Sequence, residues 1–122
     1  MATIELTQQN FQETLKNNDT VIIDFWASWC GPCRSFAPIF EEASNRYPDI
    51  VFGKVNTENE RALAGSFHIR SIPTLVIIRE QVVIFAQPGA LPASALQEII
   101  DQAQALDMAE VHRQVATQQA KT

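Results

Sequence analysis

The chain of 122 residues carries two cysteines, and both stand in one short segment, Trp29-Cys30-Gly31-Pro32-Cys33. A loop this small gains little from being closed, so the pair is not a staple for the fold. At the start of a helix, residues three apart share a face with Cα atoms about 5 to 6 Å apart, the separation a disulfide requires. Such a pair opens and closes without large backbone movement. Cys30 falls where unpaired backbone N–H groups and the positive end of the helix dipole favour a thiolate, which makes it the attacking nucleophile. Cys33 lies one turn deeper, shielded until a mixed disulfide with a substrate forms. It then attacks Cys30 and releases reduced product, the work of a resolving thiol. Gly31 lets the chain turn with no Cβ in the way, and Pro32 brings its fixed φ and missing donor to a helix opening where neither costs much.

Two other readings of the cysteines compete with redox chemistry, a structural zinc site and plain burial. Structural zinc takes four ligands, whereas there is no second cysteine pair and His68 and His112 lack the expected spacing. The residues therefore point to dithiol chemistry with no bound metal.

The surrounding elements follow from hydrophobic period and turn residues. Thr3 to Leu6 reads as a short strand, and Gln8 to Asn17 as a helix with Phe11 and Leu15 at i,i+4. Val21 to Trp26 is a strand, apolar throughout except for Asp24, as expected where both faces are covered. Gly31 to about Tyr47 is a helix lined inwardly by Phe36, Phe40 and Ala43 and bent at Pro38, which lacks the donor and crowds the preceding turn. Ile50 to Asn56 is a third strand and Glu58 to Gly65 a short helix. Leu75 to Ile78 and Val82 to Phe85 are strands joined tightly enough to be antiparallel. Pro92 to Leu106 closes the domain as a helix packed through Leu96, Ile99, Ile100 and Ala103. This order predicts an α/β fold with a mixed central sheet and helices on both faces.

Length and composition suit one globular domain. Hydrophobic residues make up 46% and charged residues 19%, which fits a protein held together by burial rather than a disordered chain. Nine basic against fourteen acidic side chains leave a net charge of -5, which repels phosphate backbones and anionic lipid. Nucleic acid and membrane are not expected partners. Met1 to Glu5 holds no basic region followed by an apolar stretch, and no apolar run approaches the roughly 20 residues of a membrane span. The expectation is a cytoplasmic monomer.

Two segments together resemble the thioredoxin family: Val21-Ile22-Ile23-Asp24-Phe25-Trp26-Ala27-Ser28-Trp29-Cys30-Gly31-Pro32-Cys33 and Ser71-Ile72-Pro73-Thr74-Leu75. The likeness covers roughly residues 3 to 105, one complete domain by size. It implies the thioredoxin fold, reduction of protein disulfides, no bound cofactor, and recycling by a thioredoxin reductase that draws on NADPH. Disulfide-containing proteins would be the clients. By position, Asp24 resembles the family's buried aspartate, which takes and returns the proton of the resolving thiol; among Ile22, Ile23, Phe25 and Trp26 its carboxyl is expected to be desolvated and its pKa raised. The lesser alternative is a strand-end Asp24 that escapes to water or caps a loop. Lys54 matches the lysine near that aspartate, although a lone lysine on a strand is as often solvated, since strand residues alternate faces. Pro73 resembles the family's cis proline opposite the cysteines. With Trp29, Gly31, Pro32, Ile72 and Gly89 it would form an apolar docking surface for an extended client segment.

Departures from the family pattern are few. Between the last two strands the family has a glycine-containing turn, but Arg79-Glu80-Gln81 has no glycine, which leaves the hairpin geometry open. Neither histidine matches a catalytic position, although His68 lies near the groove-facing segment. The domain is expected over residues 1–106, with an extension over residues 107–122, helical or partly disordered, in which Met108, Val111 and Val115 make a narrow apolar stripe. An unbroken helix from Pro92 through Gln119 would reach on the order of 40 Å, longer than the domain, so part of it must project, fold back or meet a partner. Within the same chemistry an oxidase or isomerase is the alternative. In a different class stands a chaperone-like or scaffolding module that uses the groove and the tail, with incidental cysteines.

Overall fold

A computed structural model describes residues 2–120. Ten elements follow in order: β1 (Thr3–Glu5), α1 (Phe11–Asn17), β2 (Thr20–Trp26), α2 (Gly31–Arg46), β3 (Val51–Asn56), α3 (Arg61–Ser66), β4 (Thr74–Arg79), β5 (Val82–Pro88), α4 (Ala93–Ala105) and α5 (Met108–Ala120). The strands form one sheet in the order β1-β3-β2-β4-β5. β3 runs parallel to both β1 and β2, whereas β4 is antiparallel to β2 and β5 to β4. This is the mixed sheet expected from the sequence.

β2 lies at the centre, and its apolar run is explained by two cores that it separates. Val21, Ile23 and Phe25 point to one face, where they meet Phe11 of α1 and Leu63 and Ala64 of α3. Ile22 points to the other, where it packs with Phe36 and Phe40 of α2 and Leu96 and Ile100 of α4. The alternation is the ordinary two-residue period of a strand, with both faces buried. Phe40 links Phe36 and Phe52 by ring contacts at 5.9 and 5.3 Å between centroids, and fully burying one such side chain contributes roughly 1.5 to 3 kcal/mol. This core carries the start of α2 and therefore the cysteines.

Several boundaries differ from the sequence expectation. α1 begins at Phe11 rather than Gln8, because Asn10 holds a turn ahead of it: its Oδ1 accepts the Thr7 N–H and its Nδ2 donates to the Glu5 carbonyl. α3 begins at Arg61 rather than Glu58, since Asn56 captures the Glu58 N–H through Oδ1 and the Asn59 and Glu60 N–H groups through its carbonyl. The hairpin between β4 and β5 is closed by Glu80 and Gln81, both in the left-handed region with φ of 50° and 66°. Two non-glycine residues thus take up the twist a tight hairpin demands, and the Glu80 N–H donates to the Asp19 carbonyl at 2.7 Å.

The single helix from Pro92 to Gln119 does not form. Leu106 is extended, with φ -65° and ψ 136°, and the chain turns back into α5. Arg79 fills this corner: its Nη1 donates to the carbonyls of Ala103, Gln104 and Leu106 at 3.0, 3.1 and 3.0 Å. A cation among the last carbonyls of a helix is favourable at its C-terminus. Met108 is buried, Val111 and Val115 are half-buried beside Val82 to Ile84 of β5, and His112 Nε2 lies 2.8 Å from Glu80 Oε1. Among the described residues no helix is long and apolar enough to cross a membrane.

Candidate active site

The cysteine pair lies where β2 gives way to α2. After Trp26 the chain passes through buried Ala27, and the Cys30 N–H donates to the Ala27 carbonyl at 3.3 Å. Cys30 is the residue that caps α2, in an extended conformation with Pro32 in the first turn. Its Sγ accepts the backbone N–H of Cys33 at 3.2 Å. A sulfur in this position takes the role that a serine or aspartate oxygen has at other helix starts, and the donor and the dipole both favour negative charge on it. The two cysteines are joined as a disulfide with Cα atoms 5.2 Å apart, within the range expected from their spacing.

Exposure alone does not separate the two sulfurs. Cys30 is 4% and Cys33 2% exposed. The difference lies in their places: Cys30 at the helix mouth, beside Trp29, which is 65% exposed, and Cys33 one residue inside Pro32 on the face that carries Phe36 and Phe40.

Opposite Cys30 stands the segment before β4. The Ile72 carbonyl oxygen is 3.7 Å from Cys30 Sγ, and the Ile72–Pro73 peptide bond is cis. Thr74 Oγ1 donates to the Ser71 carbonyl at 2.7 Å, and the Gly89 N–H donates to the Pro73 carbonyl at 2.8 Å. Gly89 does so at φ 105°, a conformation that favours glycine. Cys30, Ile72, Pro73 and Gly89 are thereby held together, with Gly31 half-buried and Pro32 exposed beside them.

Asp24 is completely buried in the middle of β2, and among the described residues neither carboxyl oxygen has a hydrogen-bond partner. It escapes neither to water nor to a loop. Burial pushes its pKa up to about 7, against the opposing pull of the Lys54 ammonium, because removing the carboxylate from water penalises its charged form most. Asp24 shares its face with Ile22, two residues earlier, hence with α2. Lys54 faces the same way: it lies opposite Asp24 in the β2–β3 register and two residues after Phe52 of the α2-side core. Its Nζ rests 4.8 Å from the Trp26 ring centroid, a cation over an aromatic face.

The histidines stand apart. His68 is exposed just past α3 with φ 55°, and His112 is on α5 against Glu80. Among the described residues no three His, Cys, Asp or Glu side chains are grouped so as to hold a metal ion. One residue the sequence did not single out is Glu5, which lines a crevice with Trp26, Lys54 and Asn56. Its place depends on strand register, for which the three-residue strand β1 gives no signal.

Comparison with known proteins agrees with this geometry. The family model described as thioredoxin matches residues 2–102. The chain is 58% identical over 120 residues to a protein named putative thioredoxin 2 from Streptomyces coelicolor, covering 98% of this chain and 90% of that protein. It is 42% identical over 101 residues to a thioredoxin of Buchnera aphidicola, covering 81% and 94%. Among solved structures, a Plasmodium falciparum thioredoxin superposes with a TM-score of 0.76 at 34% identity, covering 82% of this chain and 97% of that one. Nothing in the site favours a binding module with incidental cysteines. With a cysteine disulfide capping α2, a cis proline against it and a matching family model over most of its length, the chain belongs to the thioredoxin family and is a protein thiol-disulfide oxidoreductase whose redox-active pair is Cys30–Cys33.

Proposed function

We propose that the chain works as a reductant of protein disulfides, with Cys30 as nucleophile and Cys33 as resolving thiol. The observation that carries this reading is the Cys33 N–H directed at Cys30 Sγ at 3.2 Å, which supports a thiolate at residue 30 once the pair is reduced. The Cys30 thiolate attacks one sulfur of a client disulfide, forming a mixed disulfide and expelling the other client sulfur as a thiolate. Cys33 then loses its proton and attacks Cys30 Sγ, which releases the second client sulfur and leaves Cys30–Cys33 oxidised.

Asp24 accepts the Cys33 proton in this scheme. An acid with a pKa of about 7 is matched to proton exchange near neutral pH. Lys54 sets the electrostatic surroundings of that acid. Trp29, Gly31, Pro32, Ile72, Pro73 and Gly89 form the surface on which an extended client strand docks, with main-chain bonding at Ile72.

Proteins of this family work with a thioredoxin reductase and with disulfide-bearing clients. For this chain the proposed electron path runs from NADPH through such a reductase to Cys30–Cys33 and on to the client, as part of cellular redox homeostasis. No bound cofactor is needed, because the electrons reside on sulfur. A cycle that runs toward reduction suits a thiol-reducing compartment, which supports a cytoplasmic location. The catalytic unit is residues 1–106, acting as a monomer, and residues 107–122 are an added C-terminal piece.

Reduction of insulin disulfides in the presence of NADPH and a thioredoxin reductase tests the scheme. Wild type is active, Cys30→Ser is inactive, and Cys33→Ser accumulates mixed disulfides with clients; activity retained in Cys30→Ser refutes it.

A further inference from the structure

The row that carries the buried acid continues past Lys54. β1 pairs with β3 so that Glu5 stands opposite Lys54, and β2 pairs with β3 so that Asp24 stands opposite the same lysine. Glu5, Lys54 and Asp24 therefore form one line across three neighbouring strands, spaced about 4.8 Å apart. All three face α2. Thr3, two residues before Glu5, donates its hydroxyl to Glu41 of α2 at 2.7 Å, and Ile22, two before Asp24, packs on Phe36 and Phe40. The Lys54 position thus has an acidic residue opposite it on each neighbouring strand.

The two carboxylates are unequal. Glu5 is exposed, whereas Asp24 is fully buried and its carboxyl has no hydrogen-bond partner among the described residues. Among the described residues Lys54 forms an ion pair with neither; its nitrogen lies over Trp26, and Glu5, Trp26 and Lys54 line a shared crevice. A compact charge on a flexible four-carbon stem can lean toward either neighbour. The other groups on this side are Glu41 and Cys33 from α2, while β4 and α4 offer apolar Leu75, Ile77 and Leu96.

We propose that Glu5 is a positioning residue for the buried acid: it competes with Asp24 for the Lys54 ammonium and so sets how much of that charge reaches the proton-transfer site. The proposal rests on the reading of Asp24 given above. Neutralising Glu5 lets Lys54 favour the ionised form of Asp24, which then titrates at lower pH.

The test is a carbon-13 NMR titration of the Asp24 carboxyl in the full-length oxidised protein, in wild type, Glu5→Gln, Lys54→Gln and the double variant. Glu5→Gln should lower the midpoint by about half a pH unit, roughly a threefold change in the ratio of ionised to neutral acid. Lys54→Gln should raise it, and in that background Glu5→Gln should shift it less than half as far. An unchanged midpoint in Glu5→Gln, or an equal shift without Lys54, overturns the proposal. The pH profile of insulin reduction by Asp24→Asn judges the underlying reading separately: a profile that does not change removes Asp24 from proton transfer, whatever the titration shows of Glu5.

Discussion

Gly89 donates its backbone N–H to the Pro73 carbonyl oxygen at 2.8 Å, and it does so from a φ of 105°. Apart from its chain neighbours, no heavy atom of the described residues lies within 4 Å of the point where a Cβ would stand, so the cost of Gly89→Ala is conformational alone. The variant should lose about 1 to 2 kcal/mol of stability, read as a lower urea midpoint with an unchanged m value. It should also reduce clients more slowly, because the bond that ties the end of β5 to Pro73 is weakened. Wild-type stability in this variant would mean that the backbone relaxes freely there.

Gly53→Ala tests the opposite situation, a normal backbone with no room. A Cβ at residue 53 would overlap Leu6 Cδ1 and Cγ, and Leu6 is fully buried. Overpacking of this kind costs about 1 to 3 kcal/mol, whereas Leu6→Ala opens a cavity at roughly 2 to 5 kcal/mol. Combined, the two changes should destabilise by less than their sum, since one makes the space the other needs. Strict additivity in denaturant unfolding would contradict the close approach of β1 to β3.

The pH dependence of stability follows from Asp24. Burial raises its folded pKa to about 7, above the 3.8 of an ordinary aspartate. Between those limits the folded state holds a proton that the unfolded chain has released, so stability falls as pH rises. It is fully present below about pH 4 and lost by about pH 7, a change on the order of 4 kcal/mol. Asp24→Asn should therefore be more stable than wild type at pH 8, with the difference vanishing near pH 3.5. A difference of equal size at both pH values would contradict the assignment.

Arg79→Ala should loosen the C-terminal helix without touching the cysteines. Its guanidinium bonds three carbonyls at the corner between α4 and α5, and its Nε donates to Asp19 at 3.3 Å. Losing charge-assisted bonds of this sort costs about 1.5 to 3 kcal/mol. Amide hydrogen exchange over residues 106–120 should accelerate at least tenfold, with insulin reduction unchanged. Protection equal to wild type would show that the apolar contacts of Met108, Val111 and Val115, with His112, dock α5 without Arg79.

Much of the site was legible in the sequence because its determinants are local. The spacing of Cys30 and Cys33 at a helix start, and the apolar neighbours that desolvate Asp24, need no long-range information. The face of Lys54 was not legible, since it depends on the register that sets Lys54 opposite Asp24. The starts of α1 and α3 were misplaced because the side chains of Asn10 and Asn56 take up backbone N–H groups in turns that imitate the beginning of a helix. The break before α5 did leave a signal: Asp107 and Glu110 have the spacing of a helix-start pair, and Asp107 Oδ1 accepts the Glu110 N–H at 3.2 Å. Leu106, neither glycine nor proline, masked it. The antiparallel pairing of β4 and β5 was legible, but the turn between them was not, as Glu80 and Gln81 adopt a conformation that their side chains do not advertise.

The central claim is that the sulfur of residue 30 is held ready for attack by its position at the mouth of α2. Timed alkylation of the reduced protein at pH 7, with the labelled cysteine identified by peptide mass, measures this directly. Cys30 should be modified first, faster than the same cysteine in the urea-unfolded chain, with Cys33 protected until unfolding. Modification of Cys33 first, or a Cys30 rate no higher than in the unfolded chain, would contradict the account.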